Sequence, residues 1–122
     1  FVDSPAWTLM GMEELAQAIA AGTGWDLTVD ELLAVGERTL NLQRAFNARE
    51  GFTREQDVLP ARLFDQPLQG GASDGYQVDR AGWEAARDSY YRQAGWDPAT
   101  GNATRQGLEA LDLAWVADAA GL

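Results

Sequence analysis

The chain has 122 residues, no Cys, no His and a formal net charge of -10. That length allows one domain with a single core, and 46% apolar residues with five Trp favour a folded chain over a disordered one. The composition excludes several classes: nucleic acid and anionic membrane surfaces call for basic patches, an iron–sulfur cluster or thiol nucleophile calls for Cys, and the commonest general base and metal ligand is His. The acidity suits solubility or a basic partner. All nine basic residues are Arg, which an Ala-, Gly- and Arg-rich genome composition explains. There is no apolar run long enough to span a bilayer and no signal peptide, so a cytoplasmic location is expected. With Phe1 in place of an initial Met, the chain is expected to be a piece of a longer protein.

Ser4-Pro5 reads as an N-cap followed by Pro at the first helical position. Met12, Leu15, Ala16, Ile19 and Ala20 recur at helical spacing. Glu13 and Glu14 suit the first turn of that helix, and Gly22 and Gly24 end it. Thr28-Val29-Asp30-Glu31 is a capping box that opens a long helix over Val29–Glu50. Leu32, Val35, Thr39, Leu42 and Phe46 form its apolar stripe, widened by Leu33, Gly36 and Leu40, so this helix is expected at the centre and well buried. Gly36 costs about 1 kcal/mol relative to Ala inside a helix, and the expected compensation is a closely approaching backbone.

Gly51 is placed as the left-handed residue ending that helix, with Phe52 folding back. Thr53 with Gln56 can cap a short helix, and Pro60 can start a single turn through Phe64. Gln66 to Tyr76 reads as a mobile surface loop. Asp79 caps a helix with Trp83, Ala86, Tyr90 and Ala94 on one face, ended by Gly95. Asp97 to Gly101 is a turn. Thr104 caps a last helix with Leu108, Leu111 and Trp115 on its face, continuing or kinking towards Leu122. With no convincing strand pattern, the expected fold is all-α, an irregular bundle of about five helices joined by Gly/Asp/Pro turns.

Gly-Trp-Asp occurs at both Gly24 and Gly95. A repeated ligand motif is conceivable, but Gly capping the helix, Trp packing back and Asp opening the turn explains it better. Arg44, Arg49, Glu50, Arg54, Glu55 and Asp57 crowd one region. Arg there can hold a carboxylate or phosphate bidentately, or the same residues can tie two helix ends together. Of these, Arg44, Arg49, Glu50 and Arg54 are the candidate site residues, as channel-lining groups or as a structural ion-pair cluster. Glu50 at a helix C-terminus opposes the dipole and needs a partner, with Arg49 and Arg54 nearest. The Asp26, Asp30 and Glu31 cluster lacks EF-hand spacing and suits capping instead of a cation. Tyr90-Tyr91 offers a phenol, with Tyr90 expected in the core beside Trp83. Nothing pairs two carboxylates across a cleft as a hydrolase requires. No catalytic, cofactor-binding or metal residue is assigned.

Glu37-Arg38 and the run Asn41-Leu42-Gln43-Arg44-Ala45-Phe46-Asn47-Ala48-Arg49-Glu50-Gly51-Phe52-Thr53-Arg54 closely resemble the C-terminal part of the aldehyde:ferredoxin oxidoreductase family. Asp57-Val58-Leu59-Pro60-Ala61-Arg62, Gln66-Pro67-Leu68, Tyr90-Tyr91-Arg92, Gly95-Trp96-Asp97, Gly101 and Thr104-Arg105 match in the same order. The resemblance runs from about Glu13 to Leu113. It implies helical structure and a parent that oxidises aldehydes to carboxylic acids. That parent would use tungsten or molybdenum held by two pterin dithiolenes, with a neighbouring 4Fe–4S cluster passing electrons to ferredoxin or a partner subunit. The resemblance also places the cluster Cys ligands and pterin motifs mostly upstream, the last Cys just before a segment like Phe1-Val2. This sequence lacks all of them.

Two readings follow. Residues 1–122 are the C-terminal helical domain of such an oxidoreductase, packing on the upstream cofactor domains and helping to wall the substrate channel. Alternatively, they are a non-enzymatic helical interaction module descended from that domain. On either reading the segment alone is expected to bind no cofactor and catalyse no oxidation.

Overall fold

The computed structural model describes residues 10–122, so the expected Ser4-Pro5 helix start lies outside the described residues. Among them are six α-helices: α1 (Met12–Thr23), α2 (Val29–Arg49), α3 (Arg62–Asp65), α4 (Arg80–Gln93), α5 (Arg105–Ala110) and α6 (Ala114–Ala120). A 3₁₀ turn covers Gly71–Ser73. Extended pairing among the described residues is confined to one antiparallel bridge, Trp96 with Ala103. The fold is all-α, as the capping signals and helical spacing predict. The described residues up to Leu40 form one compact unit and Asn41–Leu122 a second.

In the first unit α1 carries Glu13 and Glu14 in its first turn, where the free N–H groups favour anions. It stops at Gly24, whose φ of 76° is left-handed and whose N–H reaches the Ala20 carbonyl at 2.8 Å. The capping box that opens α2 is formed on both sides: Thr28 N–H donates to Glu31 Oε2 at 2.8 Å, and Glu31 N–H to Thr28 Oγ1 at 3.2 Å. The backbone and hydroxyl hydrogen bonds from Thr28 lower the Glu31 pKa.

The expectation of a buried central stripe on α2 is overturned. Leu33, Val35 and Leu40 are exposed, as are Leu42 (42%) and Phe46 (55%), and Leu32 is half-buried. The helix instead buries Asn41, Arg44 and Ala45. Gly36 has no described atom within 4 Å of where a Cβ would stand, so among the described residues no close backbone compensates its propensity cost. The physical reason is that periodicity reports which face is apolar, whereas burial depends on what is available to cover it.

The end of α2 is a Schellman motif. Gly51 adopts φ 88°, its N–H bonds Ala48 O at 3.0 Å, and Phe52 N–H bonds Asn47 O at 2.9 Å. Thr53 and Gln56 pair as expected, with Thr53 N–H to Gln56 Oε1 at 2.8 Å, but they close a turn and no helix follows. The loop after α3 is tied across itself by Leu68 N–H to Tyr76 O and Gly75 N–H to Leu68 O, both 2.8 Å.

Asp79 and Thr104 cap α4 and α5 by accepting from Gly82 N–H (2.6 Å) and Gly107 N–H (3.0 Å). On α4 the buried tyrosine is Tyr91 (2% exposed), while Tyr90 is 47% exposed, which corrects the core placement of Tyr90. Neighbouring helical positions are about 100° apart, so the inner face takes in Tyr91 in place of Tyr90 while Trp83 and Ala94 stay half-buried on its edge. The last helix breaks in two at Asp112, whose φ of 59° is left-handed, and Leu113 N–H closes back on Leu108 O at 2.8 Å. The break turns Leu113, Val116 and Ala117 inward and leaves Trp115 exposed.

The core of the second unit is Ala45, Tyr91, Trp96, Ala103, Leu108, Leu113, Val116 and Ala117. Leu108 is wholly buried at 0% exposure, so Leu108→Ala is expected to cost about 2–5 kcal/mol through lost transfer energy and a cavity. Thr104→Ala removes only a cap and is expected to cost about 1 kcal/mol. Denaturant unfolding of both variants checks this; equal, small losses would contradict the placement of Leu108 at the core's centre.

Candidate functional site

Asn41, Arg44 and Ala45 lie on one side of α2, and all three are buried. Ala45 leaves room for Trp96 and Tyr91 in the core cluster. Asn41 Oδ1 accepts the Trp96 indole N–H at 2.9 Å, so the ring's one polar atom is satisfied. A buried guanidinium is costly unless its charge and donors are met, and around Arg44 they are. Nε donates to Gly101 O at 2.5 Å, and Nη2 meets Asp57 Oδ2 at 2.5 Å. The guanidinium carbon lies 4.6 Å from the Trp96 ring centre and 5.7 Å from that of Tyr91, within cation–π range.

Asp57 Oδ2 also accepts the Tyr91 hydroxyl at 2.6 Å. Arg87 lies over the Trp83 ring at 4.6 Å and donates to the backbone carbonyls of Asp57 (3.0 Å) and Arg54 (3.4 Å). Arg54 in turn grips the Asp97–Gly101 turn: its N–H bonds Thr100 O at 2.8 Å and its Nη1 donates to Pro98 O. Arg54 Nη1 also pairs with Asp88 at 3.0 Å. The turn is preshaped by Asp97, which accepts from Ala99 N–H at 2.9 Å and from the Thr100 hydroxyl at 3.2 Å. Gly101 is required at its end. It has φ 74°, and an added Cβ would fall 2.6 Å from Arg44 Nη2 and 3.1 Å from Arg54 N.

Partial burial works to raise the Asp57 carboxyl. The hydrogen bonds from Arg44 and Tyr91, with the charges of Arg44 and Arg87, outweigh it and hold its pKa below the usual value. Burial, the hydrogen bond to Asp57 and that carboxylate's charge push the Tyr91 phenol up, against a smaller opposing pull from Arg44 and Arg87. Both groups move away from neutrality, so neither is tuned as a general acid or base there. An open cleft of about 630 Å³ borders the cluster, walled by Trp83, Tyr90, Trp96 and Arg87 with Asp57 and Tyr91 beneath.

The four candidate residues divide. Arg44 and Arg54 converge on the Asp97–Gly101 turn. Arg49 and Glu50 meet only each other among these residues, with Nη2 to Oε1 at 2.9 Å and both half exposed, and Arg49 covers the Phe46 ring at 4.9 Å. Glu50 thus finds the compensating partner its position demands. Sequence reasoning passed over Tyr91, Trp96, Asn41 and Gly101 as parts of the cluster. The available signal was Asn41, a polar residue one turn before Arg44 on a face with Ala45. The two Gly-Trp-Asp copies also differ: Trp96 is buried and Trp25 exposed.

Residues 3–113 match the family profile described as aldehyde ferredoxin oxidoreductase, domains 2 & 3. The chain is 30% identical over 106 residues to the tungsten-containing aldehyde ferredoxin oxidoreductase of Pyrococcus furiosus, covering 86% of this chain and 17% of that protein. The enzyme of the same name from Pyrococcus horikoshii is 31% identical over 88 residues, 71% of this chain and 14% of that one. Among solved structures, the active-site complex BamBC of benzoyl coenzyme A reductase, bound to 1,5-dienoyl-CoA, superposes with a TM-score of 0.72 at 27% identity. That match covers 90% of this chain and 15% of the other. The chain therefore spans about a sixth of the length of the relatives it matches.

Removing one partner of a buried ion pair leaves an uncompensated charge, whereas an exposed pair contributes little. Arg44→Ala is therefore expected to cost on the order of 3 kcal/mol and Arg49→Ala about 1 kcal/mol or less, read by denaturant unfolding of the intact protein. Asp57 adds a pH signature. Its folded pKa is below the unfolded value of about 3.9, so its contribution is full above that value and is lost as pH falls through the folded one. Wild type should exceed Asp57→Asn in stability near about pH 7, with the gap closing at acid pH below about 4; a gap that widens on acidification would contradict this.

Proposed function

The chain belongs to the aldehyde ferredoxin oxidoreductase family, and we propose that residues 1–122 serve as the C-terminal helical domain of a larger oxidoreductase of that kind. The observation that carries the reading is the match over residues 3–113 combined with coverage of only 17% of the Pyrococcus furiosus enzyme. The parent would oxidise aldehydes to carboxylic acids with a tungsten or molybdenum bis-pterin and a 4Fe–4S cluster, passing electrons to ferredoxin or a similar acceptor in the cytoplasm.

These residues do not fit as ligands for such groups. The chain has no Cys or His, no set of three potential ligands gathers among the described residues, and Asp57 is engaged by Arg44 and Tyr91. Cofactors would be held by the upstream domains, on which this domain packs. Its share of the work is to shape surroundings. The presence of the same fold in a benzoyl coenzyme A reductase complex supports a part used across different reactions. In this reading Arg44 and Arg54 set the cluster's shape, and Arg49 and Glu50 lie on a face towards the rest of the protein. The Trp83, Tyr90 and Trp96 cleft contributes wall to the substrate channel. No helix among the described residues is long and apolar enough to cross a membrane.

Metal analysis and an aldehyde-dependent dye-reduction assay on the full-length protein test the reading. Tungsten or molybdenum together with iron, and turnover that needs aldehyde, are expected. A full-length protein with neither metal and no such turnover would contradict it and favour the helical interaction module.

A further inference from the structure

Trp83, Arg87 and Tyr90 stand at i, i+4 and i+7 on α4, so the three share one face of the helix. With Trp96 they wall the open cleft of about 630 Å³, a volume in the range of small-molecule sites, about 300–1,000 Å³. Tyr90 meets Trp96 edge to face, with ring centres 5.6 Å apart and planes at 87°, so the walls offer both ring faces and ring edges. The charged residues on the lining are Arg44, Asp57 and Arg87. Arg44 and Asp57 neutralise each other, which leaves the cleft one positive charge in a chain of net charge -10. Arg87 donates to the backbone carbonyls of Asp57 and Arg54 from Nη1 alone, and its Nε is buried with no acceptor among the described residues. The edge of a guanidinium that a carboxylate takes side-on is thus left without a protein partner. A buried donor left unmet is costly, and a carboxylate is the acceptor that meets it most strongly.

We propose that this cleft binds a single-ring aromatic carboxylate, with the ring against Trp83, Tyr90 and Trp96 and the carboxylate on Arg87. The proposal goes beyond the channel reading, which asks only for a wall, and it concerns binding and not turnover. Three features select the ligand. Aromatic walls set at different angles favour a flat ring, which can stack on one and meet another edge-on. The excess positive charge disfavours the organic cations that aromatic walls otherwise attract. A planar carboxylate gives the guanidinium edge two acceptors at once, which a neutral amide does not.

The test is calorimetric titration of the full-length protein with benzoate and with three relatives that change one feature each. Cyclohexanecarboxylate lacks the aromatic ring, benzamide lacks the negative charge, and benzylamine carries a positive charge instead. Benzoate is expected to bind about tenfold or more tightly than benzamide and benzylamine, and about threefold or more tightly than cyclohexanecarboxylate. Arg87→Gln is expected to weaken benzoate about tenfold and Tyr90→Ala about threefold. Tyr90 is 47% exposed, so Tyr90→Ala leaves the core in place and carries the test if Arg87→Gln, which also loses its bonds to Asp57 and Arg54, fails to fold. No benzoate binding, equal or tighter binding of any of the three relatives, or wild-type affinity in a folded variant would overturn the proposal. Metal content and aldehyde turnover of the same preparation separate the two ideas. A metal-loaded, active protein whose folded variants bind benzoate as wild type does overturns this site alone. Benzoate binding that depends on Arg87 and Tyr90 in a protein free of tungsten and molybdenum upholds the site and overturns the cofactor reading alone.

Discussion

The second unit is built around a charge that has to be buried. Arg44 projects from the inner side of α2 into a space bounded by Tyr91, Trp96 and the Asp97–Gly101 turn. Each neighbour answers a different requirement of the guanidinium. Asp57 supplies the counter-charge, Gly101 an acceptor, and the two rings a polarisable face. Those requirements propagate. Asp57 must be held in place, which Tyr91 does through its hydroxyl and Arg87 through the backbone. Gly101 must lack a side chain, and its turn is fastened from the other side by Arg54. Long-range contacts from α2, the turn after it, α4 and the loop before α5 thus meet on one side chain.

How much of this the sequence disclosed depends on how local the cause is. Caps at Thr28, Gly51, Asp79 and Thr104 were legible because a donor and its acceptor lie within a few residues of each other. Burial was less so. The apolar stripe of α2 has the right period, yet Leu42 and Phe46 stay exposed, because the described residues cover them only in part. Tyr91 replaced Tyr90 inside because its hydroxyl reaches Asp57, a partner 34 residues away that periodicity cannot register. The candidate arginines were visible as a crowd, but their division into buried Arg44, half-buried Arg54 and exposed Arg49 depends on where the Asp97–Gly101 turn lands, and that is a tertiary fact.

The same division bears on function. The buried half of the cluster holds two groups whose pKa values are driven apart and away from neutrality, an arrangement suited to rigidity. Leu42 and Phe46 of α2 and Trp115 of α6 instead remain exposed outside the unit's own core. In the proposed reading, one side of α2 organises the domain and the other joins it to the catalytic body.

The account's central claim is that Arg44 and Asp57 act as a coupled pair on which the unit depends. A double-mutant cycle of Arg44→Met and Asp57→Leu, followed by denaturant unfolding, tests it most directly. The account predicts a coupling energy of about 1–3 kcal/mol, with the double variant less damaged than the sum of the single ones. Additive losses with coupling near zero would show that the two residues stabilise the protein independently, and would contradict it.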